Sequence, residues 1–314
     1  MIQYNWWYNM TREELNKVKQ AEILNEEKRE KRKKGVLLCL KIIIIIISIF
    51  SIFYLLNTYI FTKGVIVKEQ RVISKKIPNN FSGLKIVQFS DLHYGSTIFI
   101  DDVKNLVKLI NSRNPDIVVF TGDLIDSKYK ISAKEREKLI TELAKIKANI
   151  GKYSVYGDED NDEYTTIIKQ ANFTLLNNSY DLVYDDANLP IIVIGVSSLL
   201  NNSYNIDAAF SYFNEATSNS NLYKIVIFHE PDLTDYILEK NKADLLLAGH
   251  SHNGNINLPL IDIGIKYDGA KKYSKEMYQL DGAKLYISSG VGTNGSGIRF
   301  LCQPSINFFR LSSN

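Results

Sequence analysis

The sequence predicts an α/β layered domain set behind a single apolar helix. Three observations predict it. From residue 64 onward, short apolar runs of strand length alternate with helical stretches. One uninterrupted apolar run, residues 42–61, has the length of a bilayer crossing. Histidines and carboxylates gather just after the apolar runs, where α/β sheets hold their ligands.

Length and charge narrow the functional classes. A chain of 314 residues accommodates one large domain or two small ones. Its 45% hydrophobic and 23% charged content is ordinary for a globular protein. The net charge of +3 is uneven: residues 1–62 hold 10 Lys+Arg against 6 Asp+Glu, and residues 63–314 hold 28 against 29. The larger part therefore lacks the basic excess that tracks phosphate backbones, and no nucleic-acid partner is expected.

Residues 1–34 form a charged N-terminal segment. Thr11 and Glu14 have capping-box spacing, so a solvated helix starts there. It ends in a basic block of Lys28, Arg29, Lys31, Arg32, Lys33 and Lys34. Trp6, Trp7 and Tyr8 carry no functional signal.

Residues 35–62 read as a transmembrane anchor. Six consecutive isoleucines open the apolar run, and its polar members Ser48, Ser51, Asn57 and Thr58 are all uncharged. Lys41 can snorkel at the basic end, and Tyr54, Tyr59 and Phe61 suit the opposite interface. The long region before the run and the lack of a small-residue cleavage site argue against a removable signal peptide. Lysine and arginine bias places the N-terminus in the cytoplasm and residues 63–314 outside. The expected location is thus the cell membrane, crossed once, with the lipid bilayer as a partner.

Residues 63–314 form the candidate catalytic domain. Strands are expected within 65–77 and at 84–89, 117–121, 153–156, 191–194, 223–228, 244–247, 284–288 and 306–310. Helices are expected at 101–112, 133–148, 164–171, 207–213 and 232–240. Several strands are wholly apolar, which suits sheet covered on both faces. Clusters of Asn and Ser at 177–179, 201–204 and 218–221 read as loops. Cys39 and Cys302 stand far apart in unlike settings and read as small hydrophobes rather than a disulfide.

The carboxyl ends of the apolar runs carry the chemistry. Asp91-Leu-His93, Gly122-Asp123, Gly157-Asp-Glu-Asp160, His229-Glu-Pro231 and Gly249-His-Ser-His252 follow five of the strand candidates in order. Each is weak alone, but all four histidines of the chain fall in the set. His250 and His252 are two residues apart, so along extended chain both face one way. Asp91, His93, Asp123, Asp158, His229, His250 and His252 are more ligands than one ion accepts while keeping an open position. One carboxylate can bridge two ions about 3.5–4 Å apart, which acidify a water and clamp phosphoryl oxygens. Mixed imidazole and carboxylate donors suit two divalent transition-metal ions such as Mn, Fe or Zn.

These five ordered motifs, with Asn253-Gly-Asn255 after the last, resemble those of calcineurin-like metallophosphoesterases, and in particular a membrane-anchored bacterial branch. The resemblance runs from about residue 72 to 311 and includes Tyr286-Ile-Ser-Ser-Gly-Val-Gly292 and Ile298-Arg-Phe-Leu301. It implies a four-layer α/β/β/α sandwich and a dinuclear centre. It gives Asp91, His93, Asp123 and His252 to one metal, and Asp123, Asp158, His229 and His250 to the other. The implied activity is phosphoester hydrolysis, of a phosphodiester, phosphomonoester or pyrophosphate. The anchor points to a lipid-linked substrate. Asp123, Glu159 and His250 are the candidate catalytic residues.

The third motif departs from the family pattern Gly-Asn-His-Asp/Glu. Asp158 stands for the amide and keeps a ligand. Glu159 stands for the histidine that resembles a general acid, and an ionised carboxylate there can neither donate a proton nor welcome a phosphate. Losing such an acid costs about 10²–10⁴-fold in rate. Asn253 and Asn255 stand where Gly and Gln are common. An alternative function follows: a metal-binding but catalytically weakened, membrane-tethered sensor or partner-binding module. The Gly290-Val-Gly-Thr-Asn-Gly295 stretch fits a dinucleotide fingerprint, but no helix pattern follows it, so it is expected to be a loop near the metal crevice.

Overall fold

A computed structural model describes residues 11–57, 60, 62–185, 189–215, 221–256, 264–293 and 297–314. Trp6–Tyr8, Thr58, Tyr59, Phe61, most of the loop expected at 218–221 and the end of the Gly290–Gly295 stretch lie outside the described residues. The chain divides into two compact units, Met1–Leu56 and Asn57–Asn314.

The first unit is one helix, α1 (Arg12–Leu56), which runs through Gly35 without a break. Its start carries the expected box: the Thr11 N–H donates to Glu14 at 2.8 Å and the Glu14 N–H to the Thr11 hydroxyl at 3.4 Å. None of its side chains is buried, and its isoleucines are exposed on every side. A helix apolar all round buries itself in protein or in lipid, and none of the residues of this one is buried in protein. Residues 36–56 would span about 32 Å at 1.5 Å per residue, near the thickness of a bilayer core. It is long and apolar enough to cross a membrane.

The second unit begins with β1 (Ile66–Ile73), β2 (Lys85–Phe89), α2 (Ile100–Asn111), β3 (Ile117–Phe120), α3 (Ala133–Ala144), β4 (Gly151–Ser154) and α4 (Asp162–Gln170). It continues with β5 (Thr174–Leu175), β6 (Ser179–Val183), β7 (Ile191–Gly195), α5 (Ile206–Ala209), α6 (Ser211–Glu215) and β8 (Lys224–Ile227). It closes with α7 (Leu233–Lys240), β9 (Leu245–Ala248), β10 (Met277–Leu280), β11 (Ala283–Ile287) and β12 (Ser305–Ser312). Two six-stranded sheets result, ordered β1-β12-β2-β3-β4-β5 and β10-β11-β9-β8-β7-β6.

Alternation along the strands builds the layers. Ile117 and Val119 of β3 meet Ile225 and Ile227 of β8 in the core between the sheets. Val118 and Phe120 turn the other way, against Val103, Leu106 and Ile110 of α2. Val226 and Leu246 pack on Leu233 and Ile237 of α7. Both faces of the central strands are covered, which is why β3 and β9 are apolar at every position. The architecture is the four-layer α/β/β/α sandwich. Ser132 and Glu135 cap α3 reciprocally, and Asn161 caps α4.

The three strands absent from the sequence reading, β5, β6 and β10, are all sheet edges. β10 alternates exposed and half-buried residues, and four of the five residues of β6 are half-buried, so neither shows an apolar run. Ser179, read as loop, opens β6.

Candidate metal centre

The central strands β2, β3 and β4 of one sheet and β8 and β9 of the other deliver their carboxyl ends to one place. The first sheet supplies Asp91, His93, Asp123 and Asp158; the second supplies His229, His250 and His252. All seven predicted ligands arrive together. Asp123, Asp158, His229 and His250 form one group, and Asp91, His93 and His252 another.

In the first group His229 Nε2 lies 3.2 Å from Asp123 Oδ2 and 3.2 Å from Asp158 Oδ1, while His250 Nδ1 lies 3.0 Å from Asp158 Oδ1. In the second, His93 Nε2 and His252 Nε2 are 3.2 Å apart, and His252 Nε2 is 3.5 Å from Asp91 Oδ1. Asp123 stands between the groups: Oδ2, close to His229, is also 3.7 Å from His93 Nε2. Two donors each about 2.1 Å from one ion are separated by roughly 3.0–3.4 Å at right-angled or tetrahedral geometry. The first group and the His93–His252 pair meet that requirement, while Asp91 and Asp123 stand slightly farther from the second group's imidazoles. His229 Nε2 and Asp158 Oδ1 are, moreover, buried polar atoms with no hydrogen-bond partner. Buried polar atoms are seldom left unpaired, and a shared cation satisfies both. The donor set therefore fits two divalent metal ions.

Charge in the centre points the same way. Burial drives the His229 imidazole down, but Asp123, Asp158 and Asp91 hold it well above its ordinary value. Burial works against His93 too, yet Glu159, Asp123 and Asp91 push it up to about 9. Burial would raise Asp158, but His229 and His250 hold its carboxyl well below the usual range. His252 is the exception: burial, His93 and Arg299 push it well below. A cluster whose carboxylates draw protons onto imidazoles is one in which metal cations can replace those protons.

A polar group also stands behind each histidine ring. His229 Nδ1 faces the Thr121 carbonyl at 2.5 Å, and His250 Nε2 faces the Asp268 carbonyl at 2.7 Å. His93 Nδ1 faces Glu159 Oε2 at 3.3 Å, and His252 Nδ1 faces Arg299 Nη2 at 3.2 Å. Glu159 is thus turned onto His93 and also accepts the Ser127 N–H at 2.8 Å.

Neighbouring loops hold the motifs in register. Asp160 accepts N–H bonds from Asp123, Gly157 and Leu124 at 2.8, 2.8 and 2.9 Å, tying the third motif to the second. Burial and the nearby Asp123 push its carboxyl up to about 7 against those three donors. Both Asp91 oxygens face the His250 N–H, at 3.0 and 3.1 Å. Glu230, fully buried, accepts from Leu199 and Leu200, and Asn201 in that loop donates to the Asp158 carbonyl at 3.0 Å.

Two features were outside the reach of the sequence. Asp91, His93, Asp123, His250 and His252 all have left-handed backbone, with φ between 41° and 65°. Each such residue costs about 1–3 kcal/mol, and such strain gathers at functional sites. The second feature is Arg299, buried completely, which donates to the carbonyls of Gly290, Gly292 and Cys302 at 3.2, 2.5 and 3.3 Å. Two glycines permit the close packing. At Gly122 (φ +91°) a Cβ would fall 2.4 Å from Gly157 N, and at Gly290 (φ +72°) 2.9 Å from both Asp91 Cβ and His252 Nδ1. Gly290 therefore lines the metal centre, and its loop leads to Arg299 rather than to a nucleotide-binding helix.

Comparison with known proteins agrees with this geometry. The profile of the calcineurin-like phosphoesterase family matches residues 84–254. The uncharacterized metallophosphoesterase YkuE of Bacillus subtilis is 32% identical over 254 residues, covering 78% of this chain and 85% of that one. The phosphodiesterase YaeI of Escherichia coli is 22% identical, with 74% of this chain and 84% of that one covered. A zebrafish transmembrane protein with a metallophosphoesterase domain is 23% identical, with 74% of this chain and 54% of that one covered. The chain belongs to the calcineurin-like metallophosphoesterases, and its class is metal-dependent phosphoric ester hydrolase.

Proposed function

We propose that this protein is a membrane-anchored, dinuclear metallophosphoesterase acting on a phosphoester presented at a membrane surface. The position of Asp123, between two groups of His and Asp that each fit an ion, carries the proposal. Asp91, His93, Asp123 and His252 would hold one ion; Asp123, Asp158, His229 and His250 would hold the other. Two such ions supply an acidified water and a clamp for phosphoryl oxygens. The chain itself contributes orientation: each imidazole is fixed from behind, and the strained strand ends hold the carboxylates convergent. His250, whose Nε2 faces the Asp268 carbonyl, would stand where a leaving group departs.

With glutamate at position 159, the third motif offers no imidazolium to a departing alkoxide. This supports substrates whose leaving group departs unprotonated, among them pyrophosphates and activated esters. The long apolar helix, free of buried residues, supports anchorage and a lipid-linked substrate. The basic block before it supports a cytoplasmic N-terminus with the catalytic domain outside.

The test uses the full chain in detergent micelles, loaded with Mn, Fe or Zn, and a chromogenic phosphodiester. Turnover that a chelator abolishes and Mn restores is expected. Bound metal without turnover in all three preparations would instead support the alternative, a tethered phosphate sensor. For topology, protease added to intact cells should digest the domain; digestion only after the cells are opened would reverse the orientation.

A further inference from the structure

We infer that Glu159 is a positioning residue for His93, a carboxylate that fixes the imidazole from behind and sets the ion affinity of its half of the centre. The inference rests on the dinuclear reading and goes beyond it, because the family pattern has a histidine at this place. The geometry carries it. His93 is 1% exposed, so no solvent competes for its ring. Its Nε2 points into the centre, 3.2 Å from His252 Nε2 and 3.7 Å from Asp123 Oδ2. Its Nδ1 points away; it makes no hydrogen bond among the described residues, and Glu159 Oε2 lies 3.3 Å from it as an ion-pair contact.

A neutral imidazole has one N–H and one lone pair. A carboxylate beside Nδ1 favours the proton on that nitrogen, which leaves the Nε2 lone pair for a metal and makes Nε2 a stronger donor. Glu159 is itself held at two points. Its Oε2 accepts the Ser127 N–H at 2.8 Å, and its own N–H donates to Asp123 Oδ1 at 3.0 Å. One residue thus connects the ring of His93 to the carboxylate between the two groups. The third motif has exchanged a residue that faces substrate for one that faces a ligand. Asp126 lies in the same cluster, so a third cation between His93, Asp126 and Glu159 is the competing occupant.

The experiment is calorimetric titration of MnCl₂ into the metal-free full chain in detergent, wild type beside Glu159→Ala and Glu159→Gln. Losing such a partner typically weakens metal binding by about 10–100-fold. The alanine variant should weaken one of two Mn sites by that factor and leave the other unchanged. The glutamine variant, which keeps an acceptor oxygen, should recover most of the loss. The Co(II) absorption spectrum of the alanine variant should change for one ion only. Wild-type affinity at both sites in the alanine variant overturns the inference. Equal weakening of both sites, or no recovery by glutamine, overturns it as well. Three Mn ions in wild type and two in the variants would make Glu159 a ligand instead. Fewer than two ions in wild type would remove the dinuclear reading and this inference with it.

Discussion

The two halves of the metal centre are held by different means. Behind His229 and His250 stand main-chain carbonyls, those of Thr121 and Asp268. Behind His93 and His252 stand charged side chains, Glu159 and Arg299, of opposite sign. A carbonyl comes with the fold and survives side-chain substitution. A side chain can be exchanged, so the His93 and His252 half is where one residue can retune affinity. The opposite charges also have opposite effects on the rings: Glu159 helps raise His93, and Arg299 helps lower His252. One ligand is made a stronger donor, and its neighbour is kept from taking up a proton.

Substitutions can break or sharpen that comparison. The largest effect belongs to Asp123, which the two halves share. Asp123→Asn should abolish stoichiometric metal binding and reduce phosphodiester turnover to background, measured by metal analysis and steady-state assay. Two ions and full activity in that variant would end the bridging role. Next comes Arg299→Met, which removes a donor from three carbonyls, of which only that of Gly290 keeps another among the described residues, the Ser305 N–H. A hydrogen bond to a charged group contributes about 1.5–3 kcal/mol, so the loss should reach roughly 3 kcal/mol or more. A thermal melt of the variant should fall by several degrees.

A smaller effect is expected at Asn57. Its amide donates to the Gly297 carbonyl at 2.8 Å, and its oxygen accepts the Arg299 N–H at 2.8 Å. Asn57→Ala should cost about 1–3 kcal/mol by freeing buried backbone groups, with metal stoichiometry retained. The smallest belongs to the main-chain half. Asp268→Ala keeps the carbonyl that His250 uses and removes only an exposed side chain paired with Lys271. Mn affinity should stay within about twofold, well short of the change expected for a lost outer partner. A tenfold loss there would erase the distinction between the halves.

The fold and the clustering of the candidate ligands were largely legible in the sequence, for physical reasons. Central strands covered on both faces leave continuous apolar runs, and ligands at strand ends sit beside those runs, so Asp91, His93, Asp123, Asp158, His229, His250 and His252 could be found together. Edge strands such as β6 and β10 bury one face at most and leave no such run. The apolar helix was legible by length, but its continuity with the charged segment in α1 was not, because the two differ sharply in composition. Arg299 and the direction of Glu159 were hidden for another reason. Burial of an arginine and the facing of a carboxylate depend on contacts across the chain, as Arg299 with His252 and Glu159 with His93 show.

Anomalous diffraction from crystals of the Mn-loaded protein tests the central claim most directly. The account predicts two peaks about 3.5–4 Å apart, with the Asp123 carboxylate between them and His93 and His229 on opposite sides. A single peak, or a second peak away from Asp91, His93 and His252, would contradict it.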